Sequence, residues 1–156
     1  LDTYLLKGEE RKNLTNNIPF LQGYQGNICF YCAEKIEEGD CHFDHVLPRM
    51  VLNHDQIWNL VLAHSYCNMS KSDKVVGEHF MEKLIQRNEN IMGSNHPWKH
   101  KISSDLGRTK KLRASNLLSH YENVKSVLGN NYWFGTSSYN PQNDDFYKKL
   151  ITRLNN

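Results

Sequence analysis

The chain has 156 residues, of which 38% are hydrophobic and 23% are charged, and its formal net charge is +2. These values predict a soluble globular protein with one hydrophobic core, or with one core and a small satellite module. They exclude a helical membrane protein, because no apolar run approaches the roughly 18 residues that a membrane span needs.

The N-terminal residues are polar and do not resemble a signal peptide, so we expect a cytoplasmic protein. The chain begins with Leu rather than Met, which is compatible with a fragment of a longer protein. Scattered leucines over 4–17 predict a weak amphipathic helix. Pro19 suits the first turn of a short second helix, from Phe20 to Tyr24, which Gly26 and Asn27 end.

Two short strands and a helix are predicted next. The first strand runs from Cys41 to Val46 and ends before Pro48, because proline cannot donate to a sheet ladder. A loop over 49–58 leads to a second strand, from Leu60 to Ala63. Ser65 is a favourable N-cap for the helix that follows. A strand–loop–strand–helix unit of this size buries little core, so we expect it to need a stabilising cross-link through its cysteines.

Helices are predicted over most of the remaining sequence. From Val76 to Gly93, apolar residues recur at helical spacing on one face. Lys83 and Arg87 belong to the opposite, polar face and are expected to point to solvent.

A second helical stripe ends at Gly129 and consists of Leu112, Leu117, Leu118, Tyr121, Val124 and Leu128. Residues 130–143 are irregular and rich in aromatic side chains. The cluster of Tyr132, Trp133 and Phe134 is expected in the core rather than as a base-stacking platform. Asp144 and Asp145 cap a last helix. The sequence therefore predicts one α+β domain, mostly helical, with a ββα unit packed among flanking α-helices.

Two pairs of metal-binding side chains frame the ββα unit: C-x-x-C at Cys29 and Cys32, and H-x-x-C at His64 and Cys67. Each pair can straddle one turn, so the two pairs can close on one tetrahedral zinc ion. A thioredoxin-like redox pair would need a βαβ context that the neighbouring residues do not supply. Cys41 is a rival ligand, but its position in the predicted strand favours a small inward-facing residue. We predict a structural zinc held by the two pairs; buried thiols and a satisfied histidine are the alternative.

Positive charge is concentrated between residues 99 and 113. This segment has one acid, Asp105, and six basic residues: Lys99, Lys101, Arg108, Lys110, Lys111 and Arg113. It is a candidate phosphate-facing surface. A solvated helix face is an equally weighted interpretation.

Asp44, His45 and Asn68 have the chemistry that metal-assisted phosphodiester hydrolysis requires. The carboxylate of Asp44 and the amide oxygen of Asn68 are adequate ligands for Mg²⁺, which retains several waters and takes phosphate oxygens from a substrate. The imidazole of His45 is the natural base for a water molecule at neutral pH. Each residue alone is weak evidence of function, but together and in this order they favour a nuclease.

The segments D-H-V-L-P, W-N-L-V-L-A-H and C-N-M-S-K-S-D-K resemble the HNH endonucleases, whose shared core is the ββα-metal motif. The resemblance covers roughly a third of the chain, from Cys29 to Lys74. It implies that Asp44 and Asn68 hold one catalytic Mg²⁺ or Mn²⁺ and that His45 activates the attacking water.

The resemblance also implies roles for two further residues. Asn59 would brace the loop and orient His45, and Lys71 would lie near the phosphate or the metal-site loop.

Two positions depart from the common pattern. Asn68 stands where the family often has His, and His64 replaces the first cysteine of the second zinc pair. The second departure leaves open whether His64 binds zinc or assists the substrate, and its spacing favours zinc.

The resemblance predicts a metal-dependent endonuclease that cuts DNA and leaves 5′-phosphate and 3′-hydroxyl ends. A non-catalytic zinc module that binds DNA, a nuclease that acts on RNA and a structural interaction domain are the alternatives. We expect N-terminal helices over 1–27, the zinc-bound core over 28–75 and C-terminal helices over 76–156. A prokaryotic or phage origin is expected from the distribution of the family only. These residues do not indicate the biological setting, such as restriction or phage defence. They do not indicate the oligomeric state either.

Overall fold

The computed structural model describes residues 21–22 and 25–136. The predicted helix over 4–17 and the last helix from Asp144 lie outside the described residues. Of the short helix predicted over 20–24, only Leu21 and Gln22 are described, and both are helical. Within the described ranges, no helix has the length and apolar character to cross a membrane.

An antiparallel pair of strands, β1 (Cys41–His45) and β2 (Leu60–His64), lies at the centre of the fold. Strand β2 is an apolar run whose first four residues are buried, which is typical of a strand covered on both faces. Strand β1 has one buried residue, Asp44, which is paired with Val61 in the sheet. Both predicted strands are confirmed, and the Asp44–His45 pair stands at the end of β1.

The connection between the strands is more ordered than the predicted loop. It contains a one-turn helix, α1 (Arg49–Leu52), and a 3-10 turn over Ile57–Asn59. The carbonyl oxygen of Pro48 accepts from the N–H of Val51 at 3.0 Å, so the proline that ends β1 also begins α1. Asn53, with φ at 54°, ends α1 in the left-handed conformation that asparagine tolerates. The prediction of a loop was wrong because it considered only that Pro48 ends a strand. Proline also favours the start of a helix, and that is its position here.

Helix α2 (Ser65–Lys71) follows β2 directly and completes the ββα unit. The prediction of Ser65 as N-cap was wrong: the cap position is His64, and Ser65 is the first helical residue. The N–H of Ser65 donates to Asp40 Oδ1 at 3.0 Å. A carboxylate from the turn before β1 therefore satisfies the helix start and suits the positive end of the helix dipole.

Three longer helices follow: α3 (Glu78–Met92), α4 (Lys99–Leu106) and α5 (Lys110–Leu128). Two short strands, β3 (Val75–Val76) and β4 (Tyr132–Trp133), pair in parallel. The predicted helix start at Val76 was wrong by two residues because the two valines pair with β4 first. The predicted ends at Gly93 and Gly129 are confirmed, whereas α4 was not predicted.

Two cations of α3 are buried, contrary to the prediction of a solvent-facing polar face. Lys83 is 4% exposed and Arg87 is 2% exposed. Lys83 Nζ donates to the carbonyl oxygen of Phe30. Arg87 donates to the carbonyl oxygens of Leu60 at 2.7 Å and Trp58 at 3.0 Å. These cations donate to buried carbonyl groups of the 3-10 turn, of the first residue of β2 and of the segment between Cys29 and Cys32. The spacing of residues in a helix does not reveal that such carbonyl groups need a donor.

Three aromatic rings form the centre of the core. The ring centroids of Tyr31 and Phe80 are 5.2 Å apart, and those of Tyr31 and Trp133 are 5.1 Å apart, both in edge-on contact. Phe80 and Trp133 stack at 5.3 Å. Trp133 belongs to the core as predicted, whereas Phe134 is 66% exposed and does not. The fold is α+β, with a ββα unit among helices, as predicted.

The basic segment 99–113 is only partly a surface. Arg113 is 7% exposed and donates to both carboxylate oxygens of Glu89, at 2.9 and 2.8 Å. Its inclusion in the basic surface was therefore wrong, because burial beside Glu89 neutralises its charge. Four basic residues of the segment are exposed: Lys101, Arg108, Lys110 and Lys111.

The apolar stripe of α5 is narrower than predicted. Leu117, Tyr121 and Val124 are buried. Leu112 is 47% exposed and Leu118 is 44% exposed, so neither side chain belongs to the core.

Candidate metal centre and active site

The two predicted metal-binding pairs come together. Cys29 and Cys32 lie in a turn closed by the bridge between Ile28 and Lys35. His64 ends β2, and Cys67 lies in the first turn of α2. The four ligand atoms lie within 4.8 Å of one another, and this is the one group of three or more His, Cys, Asp or Glu side chains within metal-binding reach among the described residues.

These four side chains fit zinc. A Zn–S bond of about 2.3 Å places two ligands of a tetrahedral ion about 3.8 Å apart, which is compatible with the observed cluster. His64 Nε2 lies 2.7 Å from the carbonyl oxygen of Lys35, which can only accept, so Nε2 carries a proton. Nδ1 faces the sulfurs of Cys32 at 3.3 Å and Cys67 at 4.0 Å. A backbone carbonyl therefore fixes the tautomer and aims Nδ1 at the metal position, as is usual for ligating histidines.

The thiols of this cluster share hydrogen bonds that shift their pKa values in opposite directions. Hydrogen bonds from Cys32 and Cys67 lower the pKa of Cys29. The hydrogen bonds to Cys29 raise the pKa of both Cys32 and Cys67. Three sulfurs this close cannot all be anionic unless a cation replaces their protons, which is what a bound zinc ion does.

Cys41 is not part of this group. It lies at the start of β1 and is partly buried, and burial raises the pKa of its thiol. The choice of His64 over Cys41 as the fourth side chain of the cluster therefore agrees with the geometry.

Asp44 lies on β1 and is 7% exposed. The hydroxyl group of Tyr31 donates to its Oδ2. The ammonium group of Lys71 forms an ion pair with the same oxygen at 3.3 Å. Burial and the Asp44 charge raise the pKa of Tyr31 well above its ordinary value, so the phenol keeps the proton that it donates. Among the described residues, no donor reaches Oδ1, so this oxygen is the one available to a cation.

His45 follows Asp44 and points to a different partner. Its Nε2 lies 2.7 Å from Asp55 Oδ1, and the side chains of both residues are less than 15% exposed. Asp55 also accepts from Arg49 Nε at 2.8 Å. Burial alone would raise the pKa of Asp55, but the hydrogen bonds from His45 and Arg49 outweigh it and lower the pKa to about 2. Asp55 is therefore a carboxylate at neutral pH and holds the Nε2 proton of His45.

Asn59 is fully buried between the two strands. Its Oδ1 accepts from the N–H of Leu47, and its Nδ2 donates to the carbonyl oxygen of the same residue, both at 2.8 Å. The backbone also pairs here, because Val46 N donates to the Asn59 carbonyl oxygen at 3.0 Å. These three hydrogen bonds fix the chain immediately after His45.

Lys71 is 1% exposed and lies in the last turn of α2. Besides its ion pair with Asp44, it donates to the carbonyl oxygen of His45 at 2.8 Å. Lys71 thus binds both members of the Asp44–His45 pair and docks α2 on β1. Asn68 precedes it by three residues and is partly buried, so it shares that face of α2.

Three residues of this site were missed by the sequence interpretation: Tyr31, Arg49 and Asp55. Tyr31 lies inside the C-F-Y-C pair, where an aromatic residue is usually a packing residue. Arg49 and Asp55 lie in the segment that was expected to be a loop. The sequence does contain a signal that could have identified Arg49 and Asp55. They are residues of opposite charge, six positions apart, and they follow closely after the candidate base His45.

One comparison with known proteins gave a match, and it covers this segment. Residues 29–76, roughly a third of the chain, match the family model described as HNH endonuclease. Neither the comparison with curated proteins nor that with solved structures gave a match. The matched segment includes the metal cluster, both strands of the central pair and helix α2.

Proposed function

We propose that this protein is a metal-dependent endonuclease that hydrolyses phosphodiester bonds of DNA. The observation that carries the proposal is the pairing of His45 Nε2 with Asp55 next to a carboxylate, Asp44, whose Oδ1 has no donor among the described residues. Asp44 and His45 are the last two residues of β1, so the proposed metal ligand and the proposed base lie at the same strand end.

In this proposal His45 is the general base. Asp55 holds a proton on Nε2, and in the neutral imidazole Nδ1 then has the lone pair that accepts a proton from water. The resulting hydroxide attacks phosphorus, the P–O3′ bond breaks, and the leaving oxygen takes a proton from solvent. The products have 5′-phosphate and 3′-hydroxyl ends, as the resemblance to the HNH endonucleases implies.

Asp44 Oδ1 and the amide oxygen of Asn68 are the proposed ligands of a Mg²⁺ or Mn²⁺ ion. A divalent ion bound there would supply Lewis-acid stabilisation of charge on the phosphate and on the leaving oxygen. The proposed ligand pair contains one carboxylate, that of Asp44, and Lys71 already offsets its charge. We therefore expect weak binding of the ion by the free protein and tighter binding with the substrate phosphate.

We propose that the cluster of Cys29, Cys32, His64 and Cys67 binds a structural zinc ion. All four ligand positions come from side chains, which is typical of structural rather than catalytic zinc. Bound zinc would tie the segment before β1 to the start of α2 and so hold both elements that carry the active site.

The proposed substrate surface is positively charged. Lys101, Arg108, Lys110 and Lys111 are exposed, and within residues 21–22 and 25–136 Lys101 alone of these has an acidic partner, Asp105 at 3.4 Å. Such groups attract any phosphate backbone, so they do not by themselves separate DNA from RNA.

A plasmid-cleavage assay tests the proposal, with Mg²⁺, Mn²⁺ and EDTA in parallel and an RNA of similar length as a second substrate. We expect cleavage of DNA with either ion and none with EDTA. His45→Ala should lower the rate by roughly 10²- to 10⁴-fold, the usual contribution of a general base. His42→Ala is the matched control, since His42 lies on the same strand with its side chain 49% exposed.

Three outcomes would contradict the proposal in different ways. Binding of DNA without cleavage under any metal condition would identify a non-catalytic zinc module. Cleavage of RNA alone would be compatible with the proposed mechanism but would make RNA, not DNA, the substrate. Equal cleavage by the wild-type protein and His45→Ala would remove His45 from its role as the base.

A further inference from the structure

One residue connects the metal-binding cluster with the candidate active site. Tyr31 lies between Cys29 and Cys32 in the chain, and its hydroxyl group donates to Asp44 Oδ2. No other described residue both lies within a metal-binding pair and contacts the proposed catalytic carboxylate.

We propose that Tyr31 is a positioning residue through which the zinc-bound turn orients Asp44 for the catalytic metal ion. The proposal rests on the proposed nuclease function, because that function gives Asp44 its metal. It adds a residue to the site and assigns the zinc cluster a part in catalysis beyond stability.

The Tyr31 ring is fixed in a way that suits this role. The residue is fully buried. Its ring meets Phe80 at 5.2 Å and Trp133 at 5.1 Å, both edge-on, and the Lys71 ammonium lies 6.0 Å from the ring centroid. Its backbone is confined by the flanking cysteines. Little freedom is left to the hydroxyl group, so its position follows the position of the turn.

The hydrogen bond also determines which oxygen of Asp44 faces a cation. Tyr31 and Lys71 both reach Oδ2, from the turn and from α2 respectively. With Oδ2 engaged from two sides, the carboxylate cannot rotate without losing both partners. Oδ1 is thereby presented alone, as a single oxygen ligand to the ion.

The test compares Tyr31→Phe with Tyr121→Phe. Each substitution removes only a hydroxyl group from a buried tyrosine, but Tyr121 donates to the carbonyl oxygen of Val76, at 2.6 Å. We would measure zinc content, Mn²⁺ affinity by electron paramagnetic resonance, and the Mg²⁺ dependence of DNA cleavage.

The inference predicts that Tyr31→Phe keeps one zinc per chain and binds Mn²⁺ roughly 10- to 100-fold more weakly, the usual effect of removing a group that orients a metal ligand. High Mg²⁺ should restore part of its cleavage rate. Tyr121→Phe should retain the wild-type Mn²⁺ affinity. If Tyr31→Phe binds Mn²⁺ and cleaves DNA as the wild-type protein does, the inference is overturned while the nuclease function stands. If the wild-type protein neither binds Mn²⁺ nor cleaves, the proposed function fails, and the inference with it.

A double-mutant cycle covers the case in which Tyr31→Phe does not fold. If Tyr31 acts through Asp44, the variant Tyr31→Phe/Asp44→Asn should be no less stable in urea than Asp44→Asn alone, because the buried charge is already absent. If the second substitution unfolds the Asp44→Asn protein as well, Tyr31 acts on the core and the inference is wrong.

Discussion

Asp55 Oδ1 lies 2.7 Å from Nε2 of His45, and it also accepts from Arg49 at 2.8 Å. A second pair, Asp44 with Lys71, lies on the other side of the same strand end. Each carboxylate of the site is thus matched by a cation from the chain. This balance suits a phosphodiester substrate, since two uncompensated carboxylates would repel its negative charge.

Asp55→Asn tests the role of Asp55 in holding the Nε2 proton of His45. An amide can present its NH₂ group instead of an oxygen, which would favour the wrong tautomer of the histidine. We expect the DNA-cleavage rate to fall by roughly 10²-fold or more, as for other positioned acid–base groups. Fold and zinc content should be retained, and circular dichroism with a zinc assay would check both. A variant that cleaves at the wild-type rate would show that Asp55 has only a structural role.

The same substitution has a defined effect on stability. The pKa of Asp55 is lowered to about 2 in the folded protein, from an ordinary value of 3.8. A lowered carboxyl pKa contributes stability that is complete above about pH 4 and is lost as the pH falls towards 2. Asp55→Asn should therefore cost about 2 kcal/mol at pH 5 and clearly less at pH 3. Urea unfolding at these two pH values measures the cost, and an equal cost at both would show that the Asp55 carboxyl is not its source.

Lys71→Met tests whether the charge of the Lys71 ammonium, paired with Asp44 Oδ2, weakens the binding of a metal ion at Asp44 Oδ1. Lys71 is 1% exposed, so its removal leaves Asp44 as a buried charge with fewer partners. We expect a loss of about 3–5 kcal/mol in the free energy of unfolding. Because a repelling cation is removed, Mn²⁺ should bind this variant more tightly than the wild-type protein and should recover part of the lost stability.

Lys83→Met is the matched control for Lys71→Met. Lys83 is also buried, but it donates to the carbonyl oxygen of Phe30 and makes no ion pair with Asp44. It should lose stability without gaining Mn²⁺ affinity. Thermal unfolding with and without Mn²⁺ would compare the two variants. Equal responses to Mn²⁺ would show that the Lys71 charge does not affect binding of the ion at Asp44.

Cys67→Ala and Cys41→Ala test the zinc assignment as a pair. Binding of a structural zinc ion contributes on the order of 10 kcal/mol in small modules, which is comparable to the whole stability of a typical domain. Cys67→Ala should therefore lose zinc and unfold. Cys41→Ala should keep both zinc and fold, because Cys41 lies outside the cluster. Zinc content by atomic absorption and near-UV circular dichroism would measure the outcome, and a zinc-loaded, folded Cys67→Ala protein would contradict it.

The sequence predicted the parts of this molecule that local spacing determines. The two strands, the ends of two long helices and the spacing within each metal-binding pair all follow from residues close together in the sequence. The contacts it did not predict are made over longer distances. The start of α2 is capped by Asp40, 25 residues earlier, and the carbonyl oxygen of Phe30 is satisfied by Lys83, 53 residues later.

The candidate site shows the same division. Asp44, His45 and Asn68 are identified by residue type and order, because their chemistry depends on the side chains themselves. Tyr31 and Asp55 are identified only by what they contact. Tyr31 resembles a packing residue in the sequence, and the fold alone brings its hydroxyl group to Asp44. Groups that orient others are therefore the ones that sequence patterns miss.

The exposed lysines at the start of α5 test the proposed DNA surface. Lys110→Gln/Lys111→Gln removes two exposed charges from the first turn of the helix. If both contact phosphates, the slope of log affinity against log salt should become shallower by about 1.8, since each contact contributes about 0.9. Lys125→Gln is the control: it lies on the same helix, about 22 Å away along the axis, and pairs with Glu122 at 2.6 Å. Fluorescence anisotropy with a DNA duplex at several salt concentrations, without divalent ions, measures the slope. An unchanged slope in the double variant would move the DNA surface away from this end of α5.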